Sequence, residues 1–215
     1  MKLINHTIVA ALFAAQIGAM MSSNSAFAQA SPDPSQVYIQ RLTYAGAGCA
    51  TGTVAHNVAS DAKAFTLLFS NFIAEAGPNV RAGKDRSACR ITVDLRFPNG
   101  WSYSVFTVDY RGFMSLDPNV SATQKSSYYF QAASGSARNF STTSWGPVDR
   151  DYQLRDSIVV SDLNWSPCGR TRAMNIDTEI SVNNSLARQN SGVITIDSID
   201  GQLVQTYGVI WQRCS

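Results

Sequence analysis

The chain has 215 residues, 45% of them hydrophobic and 15% charged, with a formal net charge of +2. That length and composition suit one domain with a sizeable core. The near-neutral, scattered charge leaves no electrostatic footprint for nucleic acid or an anionic membrane, and the local groups Arg81–Arg90 and Arg170/Arg172 read as solvated loops.

The first element in chain order is an export signal. Lys2 precedes an apolar stretch from Ile8 to Met21, which a Ser/Asn cluster ends and Ala26-Phe27-Ala28 follows. A charged end, an apolar middle and an A-x-A site form the pattern of a cleavable secretory signal. The stretch falls short of the roughly 20 residues that a bilayer span needs, and charges interrupt every later apolar run. Residues 1–28 are therefore expected to be removed. Residues 29–37, with Ser31-Pro32-Asp33-Pro34-Ser35, are expected to form a flexible leader, and residues 38–215 the exported domain. No membrane span is expected after cleavage, and the mature protein belongs outside the cell, or in the periplasm of a Gram-negative bacterium.

From Val54 onward the apolar period is two, which is that of half-buried strands. Val54-Ala55-His56-Asn57-Val58 alternates, Ala64–Phe69 reads as a strand, and Asn71–Ala76 fits helix or strand. In Arg90–Phe97 the residues Ile91, Val93, Leu95 and Phe97 share one face. Pro98-Asn99-Gly100 then makes a turn, and Trp101–Tyr110 forms the next strand. Its apolar phase slips between Val105 and Phe106, as at a β-bulge or in a strand that changes face. Ser121–Lys125 offers one helical turn, and Ser127–Ala132 and Ser157–Ser161 read as strands. The Ser/Ala-rich Ala132–Ser144 reads as an exposed loop or an edge strand. Met174, Ile176, Ile180 and Val182 share a parity, and Gly192–Ile196 and Leu203–Trp211 are expected to form a hairpin at Asp200-Gly201. About ten short strands imply an all-β, antiparallel β-sandwich of jelly-roll-like form.

Cys49, Cys89, Cys168 and Cys214 are an even set in an exported chain, so disulfides are expected, with three pairings open. The sequential pairing, Cys49–Cys89 and Cys168–Cys214, is the one expected here. It closes loops of about 40 and about 46 residues, each contributing about 4 kcal/mol by chain entropy. A metal site built on these cysteines lacks C-x₂₋₄-C spacing, and His56 is the one histidine of the mature chain.

Several phrases together resemble a known family. They are Tyr44-Ala45-Gly46-Ala47-Gly48-Cys49, Gly77-Pro78, Cys89-Arg90-Ile91, Asp109-Tyr110-Arg111-Gly112-Phe113 and Ser127-Tyr128-Tyr129-Phe130. Trp165-Ser166-Pro167-Cys168-Gly169, Asn175-Ile176-Asp177, Asp197-Ser198-Ile199-Asp200 and Trp211-Gln212-Arg213-Cys214 continue the series. Their joint order is similar to the domain of unknown function 4360 family, small secreted proteins of fungi and some bacteria. The resemblance spans residues 38–215 and implies a secreted β-rich domain with the same four cysteines. It implies no activity. Asn79 departs from the glycine that often follows Gly-Pro in that family, which bears only on a local turn.

No motif fixes a reaction or a cofactor. A Ser-His-Asp site would have to use His56, and nothing near it resembles G-x-S-x-G. Glycoside hydrolysis needs two acids across a cleft. Asp94, Asp109, Asp117, Asp149, Asp151, Asp177, Glu179, Asp197 and Asp200 are available, but spacing selects no pair. Asp149-Arg150-Asp151 and Asp197–Asp200 offer oxygens for calcium without fitting an EF-hand, so no metal site is assigned. Asn119, Asn139, Asn164 and Asn183 head N-x-S sequons, which act only in a eukaryotic secretory pathway.

Aromatics point furthest, because sugar rings stack on exposed flat side chains. Tyr110, Tyr128, Tyr129 and Trp145 are the expected ligand contacts, since alternation must turn Tyr129 away from its neighbours. Trp165 and Trp211 adjoin cysteines and are expected to pack on disulfides. The expectation is a non-enzymatic extracellular or envelope binding module for glycans or a cell-surface component. A polysaccharide hydrolase and a purely structural secreted protein are the alternatives. Intact-mass spectrometry of the exported protein should show a chain beginning at Gln29; a mass that retains residues 1–28 contradicts the signal.

Overall fold

The computed structural model describes residues 30–131, 137–168, 172–196 and 205–214. The expected signal, the Asp197–Asp200 segment, the Asp200-Gly201 turn and Leu203 lie outside the described residues. Among the described residues, twelve strands occur in chain order: β1 (Tyr38–Ala45), β2 (Val54–Val58), β3 (Ala64–Phe69), β4 (Ile73–Ala76), β5 (Arg86–Arg96), β6 (Trp101–Leu116), β7 (Ser121–Phe130), β8 (Arg138–Trp145), β9 (Val148–Ser157), β10 (Met174–Asn183), β11 (Gly192–Thr195) and β12 (Gln205–Arg213). They form two antiparallel sheets. One has the order β1-β5-β10-β7-β8, and the other β2-β3-β12-β6-β11-β4 with β9 also paired to β6.

Alternation in the sequence becomes burial in the sandwich. Ile91, Val93 and Leu95 of β5 and Met174, Ile176, Thr178, Ile180 and Val182 of β10 are buried, while the alternate residues face outward. Opposite them, Phe65, Leu67 and Phe69 of β3 and Tyr207, Val209 and Trp211 of β12 complete the core. Each such apolar side chain contributes about 1.5–3 kcal/mol when taken fully out of water. Tyr103 packs edge-on against Phe97 and Phe130, and Phe65 stacks on Tyr207. Trp211 joins the Phe97–Tyr103 cluster, and its indole N–H donates to the Ala62 carbonyl. The Cys49–Cys89 and Cys168–Cys214 disulfides tie loops to β5 and to the end of β12.

The phase slip in β6 is a bulge. Gly208 of β12 pairs with Thr107 and Val209 with Val105, so Phe106 has no partner across the ladder and stays exposed. Only glycine fits at 208, because a Cβ there would lie 2.3 Å from the Thr107 hydroxyl and 3.0 Å from the Phe106 ring.

Several expectations are corrected. Ser121–Lys125 is the start of β7 rather than a helical turn, since Ala122 and Gln124 are needed on the buried face. The strand expected at Ser157–Ser161 lies earlier, as β9, and a 3-10 turn at Val160–Asp162 follows it. β11 and β12 form no hairpin. Both run antiparallel to β6, β12 against Trp101–Tyr110 and β11 against Met114–Leu116, so they share one direction. The ambiguous Asn71–Ala76 segment contributes the strand β4, and the Ser/Ala-rich segment ends in the edge strand β8. The end of the expected leader is ordered: Asp33 caps a 3-10 turn at Pro34–Gln36, and Val37 is buried.

A polar link crosses the core. Asp156 of β9 is buried, and its Oδ2 accepts hydrogen bonds from the hydroxyls of Tyr110, Ser126 and Tyr128 at 2.7, 2.7 and 3.2 Å. Ser126 and Tyr128 belong to the opposite sheet, so one carboxylate ties the two layers. Burial raises the Asp156 pKa above its ordinary value, against the lowering effect of the Tyr110 and Ser126 hydroxyls. The native protein therefore keeps a proton that the unfolded chain has lost just above the ordinary aspartate pKa. This group favours the fold most below about pH 4, and the benefit declines as pH rises through the raised native value. Urea unfolding between about pH 4 and 8 should show that decline flattened in Asp156→Asn, which keeps an uncharged acceptor. Asp156→Ala should cost about 3 kcal/mol at neutral pH by leaving buried hydroxyls without an acceptor. Equal stability of all three proteins would contradict the link.

Candidate functional site

The four expected contacts divide between core and surface. Tyr110 and Tyr128 are buried and spend their hydroxyls on Asp156, so neither offers a ring to a ligand. Burial, followed by the nearby Tyr207 and Asp156, pushes the Tyr110 pKa well above its ordinary value. Tyr129 points the other way, onto the outer face of the five-stranded sheet, where its hydroxyl meets Asp177 at 3.4 Å. Trp145, at the end of β8, is 58% exposed.

Trp145 stands at a junction of the two sheets. β8 ends one sheet, β9 runs along β6 of the other, and the Gly146–Pro147 step joins them. Between β8 and β9 lies a hollow of about 480 Å³. Trp145 forms part of its wall together with Met114, Val148 and Leu154, while Arg150, Asp151 and Gln153 supply polar groups. Tyr152 also lines it, and its hydroxyl is committed to the Thr195 carbonyl at 2.7 Å. An exposed indole beside a short row of charged and amide groups can stack on a sugar ring and bond its hydroxyls.

The outer face of the five-stranded sheet adjoins that hollow. Residues directly opposite in neighbouring strands share a face, so the pairings define rows across it. Thr43, Thr92, Asn175 and Tyr129 form one row, and Ala45, Arg90, Asp177, Ser127 and Asn139 the next. Glu179, Lys125 and Ser141 follow, and Asn183, Ser121 and Trp145 end the series. Eight residues of β7 separate the Tyr129 and Trp145 rows, a span of about 26 Å. Ion pairs cross these rows: Arg41 with Asp94, Arg90 with Asp177, and Arg86 and Lys125 with Glu179.

Asp109 and Asp117 are likewise engaged. Asp109 holds Arg155 through both carboxylate oxygens at 2.6 and 2.9 Å, and Asp117 accepts from the Ser191 amide. Asp177 and Glu179 share the outer face two residues apart, each bound by an arginine. His56 is exposed on β2. Asp149 and Asp151 lie on β9 opposite Ser115 and Phe113, and Asp151 reaches the Trp145 hollow. No group of three or more metal-ligating side chains occurs among the described residues. Sequence reasoning missed Arg150 and Gln153 because β9 itself went unread there.

Comparison with known proteins adds a family and weak structural likenesses. The family described as a domain of unknown function (DUF4360) matches residues 35–214. An "Uncharacterized secreted protein" of Arthroderma benhamiae is 41% identical over 186 residues, covering 86% of this chain and 74% of that protein. Among solved structures, the carbohydrate-binding module TmCBM61 in complex with β-1,4-galactotriose aligns at a TM-score of 0.26 and 10% identity, over 82% of this chain and 90% of that one. TmCBM27, a carbohydrate-binding module studied for mannan recognition, aligns at 0.27 and 9%, over 86% and 93%. Both likenesses are weak. Iodide quenching should fall in Trp145→Phe, because Trp145 is the exposed tryptophan while Trp101 and Trp211 are buried and Trp165 is half-buried. Unchanged quenching in that variant would contradict the placement of Trp145.

Proposed function

We propose that this chain, which belongs to the domain of unknown function 4360 family, is a secreted glycan-binding module whose principal contact is Trp145. Secretion is supported by the paired cysteines and by the relative described as a secreted protein. The observation that carries the binding reading is the hollow at the β8–β9 junction, where an indole 58% open to solvent stands over Met114, Val148 and Leu154. Tyr103, Tyr110 and Tyr207 are taken into the core, and among the exposed aromatic side chains of described strands Trp145, at 58%, is more open than Tyr38 at 51% and Phe106 at 39%. An exposed tryptophan costs the fold apolar burial, and a stacking role for a sugar ring accounts for its position.

Polar groups at the hollow suit the rest of a saccharide. Arg150 donates from a planar fork, Asp151 accepts, and the Gln153 amide does both, which matches hydroxyls that are donor and acceptor together. Tyr129 supplies a second aromatic on the adjoining face for a longer chain, although its hydroxyl already contacts Asp177. The binding needs no cofactor.

The test is retention of the mature, disulfide-intact protein on a glycan array and on insoluble polysaccharides. At least one glycan should be held, and Trp145→Ala should weaken that binding about 30-fold, the loss typical of a buried aromatic anchor. Melting temperature should stay unchanged in the variant. Failure to retain any glycan, or equal retention of the Trp145→Ala protein, would reject the proposal.

A further inference from the structure

The outer face of the five-stranded sheet carries a second feature, which the Trp145 hollow does not use. Two depressions of about 700 and about 730 Å³ lie there and share Arg86, Lys125 and Glu179, so they form one trough. Arg90 lines the first and Arg188 the second. In the ion pairs of this face the basic side chains are 58–73% exposed, whereas their acidic partners are only 19–34% exposed. In these pairs the carboxylates are sunk between strands and the cations stand above them, while the exposed Asp85 lines the second depression beside Arg86. Arg86, Arg90, Lys125 and Arg188 outnumber that one exposed acid, so a ligand approaching the trough meets mainly positive charge, although the whole chain is nearly neutral.

We infer that this trough binds a carboxylated polysaccharide, a polyuronate, through Arg86, Arg90, Lys125 and Arg188. Guanidinium forks match carboxylates in a planar, two-bond geometry. Arg90 binds Asp177 through Nε, and Arg86 binds Glu179 through one terminal nitrogen, so each retains N–H groups for a second acceptor. The cations are spaced for a polymer. Arg86 and Arg90 stand four residues apart on one strand face, with backbones about 13 Å apart, and their ion-pair partners Glu179 and Asp177 are two residues apart on the neighbouring strand, so the two guanidinium groups follow one another along the trough. A chain bearing a carboxylate at intervals meets them in turn. Between the charges, Ser127, Asn139 and Ser141 on one side and Asn183 and Ser185 on the other offer hydroxyl and amide partners for sugar hydroxyls.

This site goes beyond the Trp145 hollow and does not depend on it. Calorimetric titration of the mature, disulfide-intact protein with polygalacturonate tests it, beside fully methyl-esterified polygalacturonate, single-stranded DNA and phosphatidylserine vesicles. Polygalacturonate should bind, the esterified polymer should not, and added salt should weaken the complex. Arg86→Gln/Arg90→Gln should bind about ten-fold more weakly or worse, as expected for lost charge-assisted bonds. Trp145→Ala should bind polygalacturonate as the wild type does, which separates this result from the test of the hollow. If the arginine double variant fails to fold by circular dichroism, Lys125→Gln/Arg188→Gln gives the same reading. The inference is overturned by absent binding, by equal binding of the esterified polymer, or by DNA or vesicles bound as tightly. Full affinity in a folded charge-removed variant overturns it as well.

Discussion

Hydrogen bonding of β6 on both of its edges organises the molecule. This strand runs from Trp101 to Leu116, and it is long enough to take β12 and then β11 along one edge while β9 runs along the other. The bulge at Phe106, on the side facing β12, bends this strand and increases its local twist. At Gly112 another backbone segment comes so close that a Cβ would lie 1.9 Å from the Thr195 carbonyl. β9, held by β6, then delivers Asp156 to the core and one wall of the Trp145 hollow to the surface.

The core that results is not purely apolar. Asp156 collects three hydroxyls, Tyr207 donates to Gln205, and Gln205 donates to Thr178 of the opposite sheet. These bonds let tyrosines with polar tips sit at the interface of two sheets without leaving their hydroxyls dry. They also explain why tyrosines that look like ligand contacts in the sequence serve the interior. Tyr103 and Gln124 are exceptions, since the buried Tyr103 hydroxyl and the buried Gln124 amide have no protein partner. A bound water is the ordinary way to satisfy such a group.

With Tyr103, Tyr110, Tyr128 and Phe130 committed to the core, the surface carries two chemically distinct regions. One is the junction of β8 and β9, where an indole stands beside apolar side chains. The other is the outer face of the five-stranded sheet, where charges are layered with cations uppermost. They meet at the row of Asn183, Ser121 and Trp145. Stacking belongs to the first region and charge recognition to the second, so the two regions favour different sugars.

Much of the fold was legible in residue order. The alternation of β5 and β10, the bulge at Phe106 and the pairing of the cysteines follow from period-two burial, a phase slip and chain proximity. Elements whose pattern is interrupted were not legible. β9 carries Arg150 and Asp156 on the same parity as Tyr152 and Leu154, and the register of β1 shifts between Ile39 and Arg41. The sequence by itself determined which side chains oppose each other on a strand, because the pleat sets that parity locally. Only the tertiary structure decided which parity meets another sheet and which meets water. That is why Tyr128 is buried, Tyr129 lies on the outer face and Trp145 is exposed at an edge, since burial depends on a partner layer that no local pattern encodes.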